Sequence, residues 1–171
     1  MKRKIVIIGS SGFIGRELHL RIKSMKMDAD IIPLSSKEID LTDLKSADQL
    51  NDIIDEKTMV FICAGIKKQL GDNLETFEKN VSIIRNCLKA EKLVSCQKTV
   101  FLSSAEVYGE NINNLKISEM TPCSPSSYYG LAKKHSEELL QIAYRKAVKK
   151  GLVIARMPLV YGPREIQNIY G

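Results

Sequence analysis

Tyr129 and Lys133 are the two residues of this sequence whose types and spacing could move a proton. They are four positions apart, so on a helix both side chains project from one face. A free phenol has a pKa of about 10, and a nearby ammonium group lowers that pKa because it favours the phenolate. Such a tyrosine could take the proton of a substrate hydroxyl as hydride leaves the same carbon, and return it in the reverse reaction. By itself the pair is a common chance arrangement, so its meaning depends on the motifs around it.

Three glycines near the start of the chain have the spacing of a phosphate-binding turn. Gly9, Gly12 and Gly15 follow an apolar run at 5–8, and from Phe13 the apolar residues recur with a helical period. The pattern predicts a buried strand, a tight turn and a helix. Without a Cβ in the way, backbone N–H groups can approach a pyrophosphate, and the helix N-terminus adds a partial positive charge. The predicted ligand is therefore a dinucleotide.

The residues after the second predicted strand, at 29–34, bear on the form of that dinucleotide. The strand leads into Ser35, Ser36 and Lys37. In dinucleotide-binding folds an acidic side chain at this point accepts hydrogen bonds from the adenosine ribose and repels a 2′-phosphate. Two hydroxyls and a lysine would instead tolerate or attract that phosphate, which favours NADP(H) over NAD(H). The alternative interpretation is a plain polar loop.

Strand and helix patterns alternate along the rest of the chain. Further strands are predicted at 59–63, 100–102 and 152–156, and further helices at 44–54, at 74–90 and from Ser126 or Ser127 to Lys149. The core face of this last helix is predicted to hold Leu139, Ile142, Ala143 and Ala147. Alternating strands and helices call for a parallel sheet with helices on both faces. The sequence thus predicts the α/β class, with a doubly wound parallel sheet in one domain over residues 1–171.

Composition argues against several other classes of protein. The chain has 171 residues with a 44% apolar share, and no apolar run of about 18 residues, so we expect no membrane span and a cytoplasmic location. The net charge of +6 is spread over several helices without a nucleic-acid-reading motif, which argues against a nucleic-acid partner. The four cysteines form no Cys-x-x-Cys pair, and His19 and His135 lack ligand-spaced companions, so no metal site is expected.

Five motifs come in an order and rough spacing that are specific to one family. They are Gly9-x-x-Gly12-x-x-Gly15, Asp40-Leu41, Ser103-Ser104-Ala105-Glu106-Val107-Tyr108-Gly109, Tyr129-x-x-x-Lys133 and Arg156-Met-Pro-Leu-Val-Tyr-Gly162-Pro163. With them the chain resembles the extended short-chain dehydrogenase/reductases, and among these the NAD(P)-dependent sugar-nucleotide epimerase/dehydratase family. The resemblance covers essentially the whole chain and implies a Rossmann-like fold. It specifies the family far better than the reaction.

The resemblance implies roles for individual residues. Ser104 would hydrogen-bond the reacting hydroxyl of a nucleotide sugar, Tyr129 would be the base, and Lys133 its partner and a donor to the cofactor ribose. Ser103 would be structural, and Asn80 would support the active-site backbone. The residues implied to bind NADP or NAD are Gly9, Ser11, Gly12, Phe13, Ile14, Gly15, Ser35, Ser36, Lys37, Asp40, Leu41, Ala64, Gly65, Ile66, Tyr129, Lys133 and Pro158.

Two positions leave the reaction open. Glu106 could move a second proton, because family members that eliminate water or decarboxylate use a carboxylate two residues after the serine or threonine. Glutamate also occurs there in members without elimination chemistry, so epimerase, dehydratase and reductase all stay open. Leu159 stands where many members carry an asparagine that helps to hold the substrate diphosphate, and that contact is in doubt here.

The length of 171 residues matches only the cofactor-binding part of such enzymes. By this resemblance we expect the family's C-terminal substrate-binding part to be missing from this chain, and we expect cofactor binding with little or no turnover. The alternative is a non-catalytic NAD(P)-binding module with a sensing or docking role. The resemblance also implies a homodimer, in which the helices at 74–90 and 127–149 pair with their equivalents as a four-helix bundle.

Overall fold

The glycine-rich start of the chain folds as the strand, turn and helix that the sequence predicts. The computed structural model describes residues 3–110, 116–147 and 151–162. In it β1 (Arg3–Ile8) is followed by a turn and by α1 (Phe13–Ser24). Residues 5–8 are each at most 3% exposed, because β1 lies inside the sheet and both of its faces are covered.

The remaining elements alternate as expected. The other strands are β2 (Ala29–Leu34), β3 (Thr58–Ile62), β4 (Lys98–Ser104) and β5 (Leu152–Met157). The other helices are α2 (Ser46–Ile53), α3 (Leu74–Lys89), α4 (Glu91–Ser95) and α5 (Tyr128–Arg145). Short 3-10 turns at Lys68–Leu70 and Ala105–Tyr108 follow β3 and β4. None of the helices in the described ranges has the length and apolar composition needed to cross a membrane.

The five strands form one parallel sheet in the order β2-β1-β3-β4-β5. The chain therefore runs outward from β1 in one direction to β2, then returns to the other side of β1 for β3, β4 and β5. Where the direction of winding reverses, between β1 and β3, the carboxyl ends of two strands leave a crevice between their following loops. The fold is the doubly wound, Rossmann-like α/β class that the sequence predicts.

Helices cover both faces of this sheet. On one face, α1 packs through Ile22 against Ile5 and Ile7. On the other face, the larger core joins β1, β3 and β4 to α2, α3, α4 and α5 around Leu50, Ile84 and Leu140. Each of these three side chains is at most 2% exposed. Full burial of such a side chain contributes about 2 kcal/mol, so this face holds α3 and α5 firmly on the sheet.

The core face of α5 differs in part from the prediction. Ile142 is 54% exposed, whereas Leu140 and Tyr144 are buried at 0% and 4% exposure. Tyr144 belongs to the core because its hydroxyl donates to Leu93 O at 2.7 Å and lies 2.6 Å from Thr99 Oγ1. Because these partners hold Tyr144 in the core, the buried face of α5 is shifted by about one position from the stripe of aliphatic residues that the sequence shows. Lys149, the predicted helix end, lies outside the described residues.

Candidate active site

The carboxyl ends of the strands open into a groove made of two adjoining cavities. The first cavity, of about 310 Å³, lies beyond the ends of β1 and β2. The second cavity, of about 450 Å³, lies beyond the end of β4 and beside α5. Gly12, Cys63 and Gly65 line both cavities, so the two are continuous. Open α/β sheets bind ligands in this position, at the switch point of the winding.

Two of the three predicted glycines are required by the backbone itself. Gly9 has a φ of +84°, and a Cβ there would lie 2.5 Å from the backbone nitrogen of Ala64. A Cβ on Gly15 would lie 2.2 Å from the carbonyl oxygen of Gly9. Larger residues would therefore push β1, α1 and the loop after β3 apart. The close approach of these three segments forms the floor of the groove.

The N-terminus of α1 faces this floor without a side-chain cap. Its N-cap residue is Gly12, which has no side chain to accept a hydrogen bond, and the first turn has no acidic residue. The free N–H groups and the positive end of a 12-residue helix attract an anion. These features fit the pyrophosphate of a dinucleotide, which would lie between the two cavities.

The first cavity is lined by most of the residues predicted to bind the cofactor. Those that line it are Gly9, Ser11, Gly12, Ser35, Ser36, Asp40, Leu41, Ala64, Gly65 and Ile66. Apolar side chains, among them Ile39, Leu50 and Ile83, form much of its remaining wall. A slot with apolar walls and a few polar groups at its mouth suits an adenine ring and its ribose. Lys37 is exposed and lines neither cavity.

The end of β2 carries an acidic group that sequence reasoning missed. The carboxylate of Glu38 accepts hydrogen bonds from the backbone N–H of Ser35, at 2.7 Å, and from the Ser35 hydroxyl. These hydrogen bonds lower the pKa of Glu38, so the carboxylate is ionised at neutral pH. The Ser35 hydroxyl that the sequence offered to a phosphate is thus already donated to a carboxylate. The signal was present as Ser-x-x-Glu, the pattern of a capping box.

Two buried asparagines of α3 hold the loops that form the cavity walls. Asn80 accepts from the N–H of Ile66 at 2.7 Å and donates to its carbonyl at 3.0 Å, as expected for a support of the active-site backbone. Asn86, which sequence reasoning missed, donates to the carbonyls of Leu41 and Asp43 at 2.9 and 3.2 Å. Both amides therefore fix backbone that lines the first cavity.

The second cavity brings together the residues predicted to do the chemistry. It is lined by Ser104, Glu106, Tyr129 and Lys133, together with Phe13, Ile14, Gly15 and Pro158 of the predicted cofactor set. Ser104 is the last residue of β4, and Tyr129 and Lys133 lie in the first turns of α5. The Ser104 and Tyr129 side chains are hydrogen-bonded to each other. Two hydroxyls and an amine thus share one cavity next to the open end of α1.

The start of α5 is placed by hydrogen bonds from outside the helix. The Ser127 hydroxyl accepts from Gly130 N at 3.0 Å, and the Asp72 carboxylate accepts from Tyr129 N at 2.9 Å. A Cβ on Gly130 would lie 2.6 Å from the carbonyl oxygen of Glu106, so glycine allows the helix to pack against the turn after β4. This contact places Tyr129 beside Ser104.

The electrostatics of the pair differ from the prediction. Burial raises the pKa of Tyr129, and this outweighs the hydrogen bond with Ser104, which lowers it. The predicted lowering by the Lys133 ammonium is wrong for this structure, because that group donates to Leu102 O at 2.8 Å and lies 5.8 Å from the centre of the tyrosine ring. Burial lowers the pKa of Lys133 itself to about 8. A phenolate at Tyr129 thus needs a further positive charge, such as that of an oxidised nicotinamide.

Glu106 lies at the mouth of the second cavity, where two groups hold its carboxylate. Lys68 Nζ and the Ser127 hydroxyl both donate to Glu106 Oε2 at 3.2 Å. The Glu106 charge also raises the pKa of Tyr129. Leu159 lines the same cavity and offers no amide. Pro163, at the end of the fifth motif, lies outside the described residues.

Comparisons with known proteins give the same family as the motifs of the sequence. Residues 5–169 match the family described as NAD dependent epimerase/dehydratase. The chain is 30% identical over 99% of its length to an N-acetyl-alpha-D-glucosaminyl-diphospho-ditrans,octacis-undecaprenol 4-epimerase of Escherichia coli O157:H7, of which it covers 53%. It is 30% identical over 95% of its length to the uncharacterised UDP-glucose epimerase YtcB of Bacillus subtilis, of which it covers 51%.

Solved structures show the same fold. A dTDP-4-dehydrorhamnose reductase of Bacillus anthracis in complex with NADP superposes with a TM-score of 0.76 at 22% identity, over 94% of this chain and 55% of the other. A UDP-glucuronic acid 4-epimerase of Bacillus cereus in complex with NAD superposes with a TM-score of 0.68 at 25% identity, over 95% of this chain and 58% of the other. The chain spans about half the length of the curated relatives that it matches. The motifs, the parallel sheet and the family match together show that this chain belongs to the NAD dependent epimerase/dehydratase family and that its cofactor is NAD or NADP.

Proposed function

We propose that this chain forms the cofactor-binding part of an NAD(P)-dependent enzyme that acts on a nucleotide-linked sugar through hydride transfer at a sugar carbon. The observation that carries the proposal is the second cavity. There the hydrogen-bonded hydroxyls of Ser104 and Tyr129 lie with the amine of Lys133 beside the uncapped start of α1. Relatives whose names include UDP-glucose, GDP-mannose and dTDP-D-glucose support a diphosphate-linked sugar as the substrate class.

The bound nicotinamide would supply a reversible acceptor for hydride. As hydride leaves the sugar carbon, Tyr129 Oη takes the proton of the hydroxyl on that carbon, so a ketone and a protonated phenol result. Ser104 Oγ would orient the same hydroxyl, since Ser104 and Tyr129 are neighbours in the second cavity. Lys133 Nζ would donate to the cofactor ribose and so hold the nicotinamide beside Tyr129. Return of the hydride and the proton to the opposite face of the ketone would complete an epimerisation, whereas a reduction would start from a ketone substrate and the reduced cofactor.

Glu106 is the candidate for a second proton transfer. The transient ketone acidifies the hydrogen on the neighbouring carbon, and a carboxylate can remove that hydrogen. In this structure the carboxylate is held by Lys68 and Ser127. For Glu106 to act as a base, it must leave Lys68 when the substrate binds. Dehydration is therefore the less supported of the possible reactions.

A single-turnover assay tests the proposed function. The chain is mixed with stoichiometric NAD⁺ or NADP⁺ and an excess of each of several nucleoside diphosphate sugars, and reduced nicotinamide is followed by its near-ultraviolet absorbance. One turnover suffices, so the assay works even where steady-state turnover is low. We expect reduced cofactor with at least one sugar nucleotide. Cofactor binding without hydride transfer to any of them would instead favour the non-catalytic module.

The choice between NADP(H) and NAD(H) depends on the end of β2. Ser36 and Lys37 still favour a 2′-phosphate, whereas the ionised Glu38 beside Ser35 opposes one. We expect Glu38→Gln to strengthen NADP(H) binding by about threefold to tenfold and to leave NAD(H) binding nearly unchanged. Only NADP(H) carries the 2′-phosphate that the exposed negative charge of Glu38 repels. Calorimetric titration at low and high salt measures the affinity for each of the two cofactors. An equal change for the two cofactors would show that Glu38 does not discriminate between them.

We propose that the outer face of α3 and α5 is the interface of a homodimer. Leu74, Tyr128, Leu131 and Ile142 are 44% to 56% exposed on these two packed helices. The ring of Phe77 lies between them, 6.5 Å from the ring of Tyr128. Pairing of this face with a second copy would bury these side chains in a four-helix bundle. Sedimentation equilibrium would contradict the proposal if the chain stays monomeric at high concentration.

A further inference from the structure

Glu137 is a fully buried carboxylate outside the proposed proton pathway. It lies on α5, one turn after Lys133, and is 0% exposed. Its Oε1 accepts from the Ser103 hydroxyl at 2.5 Å and from Arg156 Nε at 3.0 Å, and its Oε2 accepts from a terminal nitrogen of Arg156 at 2.8 Å. The other terminal nitrogen of Arg156 donates to the Tyr108 hydroxyl at 2.9 Å. One carboxylate thus joins α5 to both β4 and β5.

These contacts lie directly behind the second cavity. Ser103 and Ser104 are neighbours on β4, so their side chains point to opposite faces of the sheet. Ser103 meets Glu137 on the core side, while Ser104 meets Tyr129 in the cavity. Lys133 donates to the carbonyl of Leu102 on the same strand. The first three turns of α5 are therefore tied to the last three residues of β4 at successive points.

The Glu137 carboxylate is fully buried while its partner Arg156 is 17% exposed, and burial of that charge carries a cost in desolvation, so its position needs a reason. Arg156 with Glu137 could have been replaced by apolar residues that hold α5 to the sheet equally well. An apolar contact has no fixed geometry, however, whereas hydrogen bonds from Ser103 and Arg156 fix both oxygens of the carboxylate. The direction of these hydrogen bonds fixes how α5 is rotated about its own axis and where it lies along β4.

We propose that Glu137 is a positioning residue, which clamps α5 to the carboxyl ends of β4 and β5 and so holds Tyr129 and Lys133 in register with Ser104. The inference rests on the proposed function, because register matters only if these three groups act together. Loss of the clamp would let Tyr129 move away from Ser104 and would remove a negative charge near the Lys133 ammonium.

The titration of Lys133 reports on this clamp without any cofactor. The groups that influence it are the Cys63 thiol from the end of β3, Glu137 on its own helix, and the ring faces of Tyr129 and Phe101. Burial lowers the pKa of Lys133 to about 8, and the charge of Glu137 opposes that lowering. Removal of the Glu137 charge should therefore lower the pKa of Lys133 further. If Glu137 only supported the structure elsewhere in α5, its removal would leave the pKa of Lys133 unchanged.

The test compares Glu137→Gln, Ser103→Ala and the control Ser136→Ala. Ser136 is 2% exposed and donates to Ala132 O within α5, so its variant removes a buried hydroxyl next to Glu137 without touching β4. The Lys133 pKa is read from its ¹³Cε resonance, identified by its absence in Lys133→Met, and NAD(P) affinity is read by calorimetry. A double variant, Glu137→Leu with Arg156→Met, removes both charges of the pair together if the single variant does not fold.

We expect Glu137→Gln to lower the Lys133 pKa. Glu137→Gln and the double variant should both weaken NAD(P) binding about tenfold, with a smaller loss of affinity in Ser103→Ala and neither change in Ser136→Ala. An unchanged Lys133 pKa in folded Glu137→Gln, or unchanged affinity in the folded double variant, would overturn the proposal. If neither Glu137 variant folds, Ser103→Ala decides, and unchanged affinity there overturns it. Wild-type protein that binds no NAD(P) would contradict the proposed function instead, while the Lys133 titration would still test the clamp.

Discussion

Gly12→Ala is expected to leave the fold intact and to weaken NAD(P) binding about a hundredfold. The backbone of Gly12 is at φ −70° and ψ 164°, which any residue can adopt, and a Cβ there would be 3.4 Å from Gly9 O, an ordinary contact. The added methyl group would nevertheless stand in the groove, since Gly12 lines both cavities. It would keep the pyrophosphate from the first N–H groups of α1, a loss equivalent to about one or two charge-assisted hydrogen bonds.

Gly15→Ala is the matched control, because it acts on the fold. Its Cβ would lie 2.2 Å from Gly9 O, so β1 and α1 must separate. We expect Gly15→Ala to lose about 3 kcal/mol of unfolding free energy, at the upper end of the range for overpacking. Gly12→Ala should change it by less than about 1 kcal/mol, because the entropic gain over glycine is offset by a poorer N-cap. Denaturant unfolding and calorimetry separate the two effects. Equal NAD(P) affinity in Gly12→Ala and wild type would refute the anion site.

Tyr129→Phe is expected to lower the single-turnover rate of hydride transfer at least about a hundredfold while NAD(P) affinity stays within about twofold. The substitution removes only the hydroxyl that takes the proton, and it keeps the ring that packs at the start of α5. Ser104→Ala should give a smaller loss, because Ser104 orients the reacting hydroxyl without receiving its proton. A Tyr129→Phe rate equal to that of wild type would exclude Tyr129 as the base.

The pH dependence of this reaction follows from the two pKa shifts. Burial raises the pKa of Tyr129, so the phenolate is a minor form at neutral pH, and the rate of sugar oxidation should rise with pH, by up to about tenfold per unit. Lys133 loses its proton above about pH 8, which would weaken its hydrogen bonds to the cofactor ribose, so the rise should flatten there. The residual rate of Tyr129→Phe should lack this rise.

Much of the fold could be predicted from sequence because its signals are local. The strand-turn-helix at Gly9–Gly12–Gly15 depends on a backbone geometry that few residues other than glycine allow, and the alternation of strands and helices determines the parallel sheet. The rotation of α5 could not be predicted in the same way. Tyr144 is buried through hydrogen bonds to Leu93 and Thr99, which are 51 and 45 residues away in sequence. A stripe of aliphatic residues carries no information about such partners.

The candidate site shows the same limit. Motif matching predicted roles for Ser104, Tyr129 and Lys133, and the structure brings these residues into one cavity. The direction of the Tyr129 pKa shift was missed, because spacing on a helix says nothing about where the Lys133 ammonium points or how deeply the phenol is buried. Glu137 and Glu38 were missed because their importance comes from partners on other strands or from a local turn whose geometry a list of residue types does not give.

Nuclear Overhauser contacts between bound NAD⁺ and the protein test the central claim most directly, because they place each end of the cofactor in one of the two cavities. The account predicts contacts from the adenine protons to the Leu41 methyl groups, and from the nicotinamide protons to the Tyr129 ring, identified with selectively labelled tyrosine and with Tyr129→Phe as the control. Nicotinamide protons that contact Leu41, or that contact no tyrosine, would contradict it.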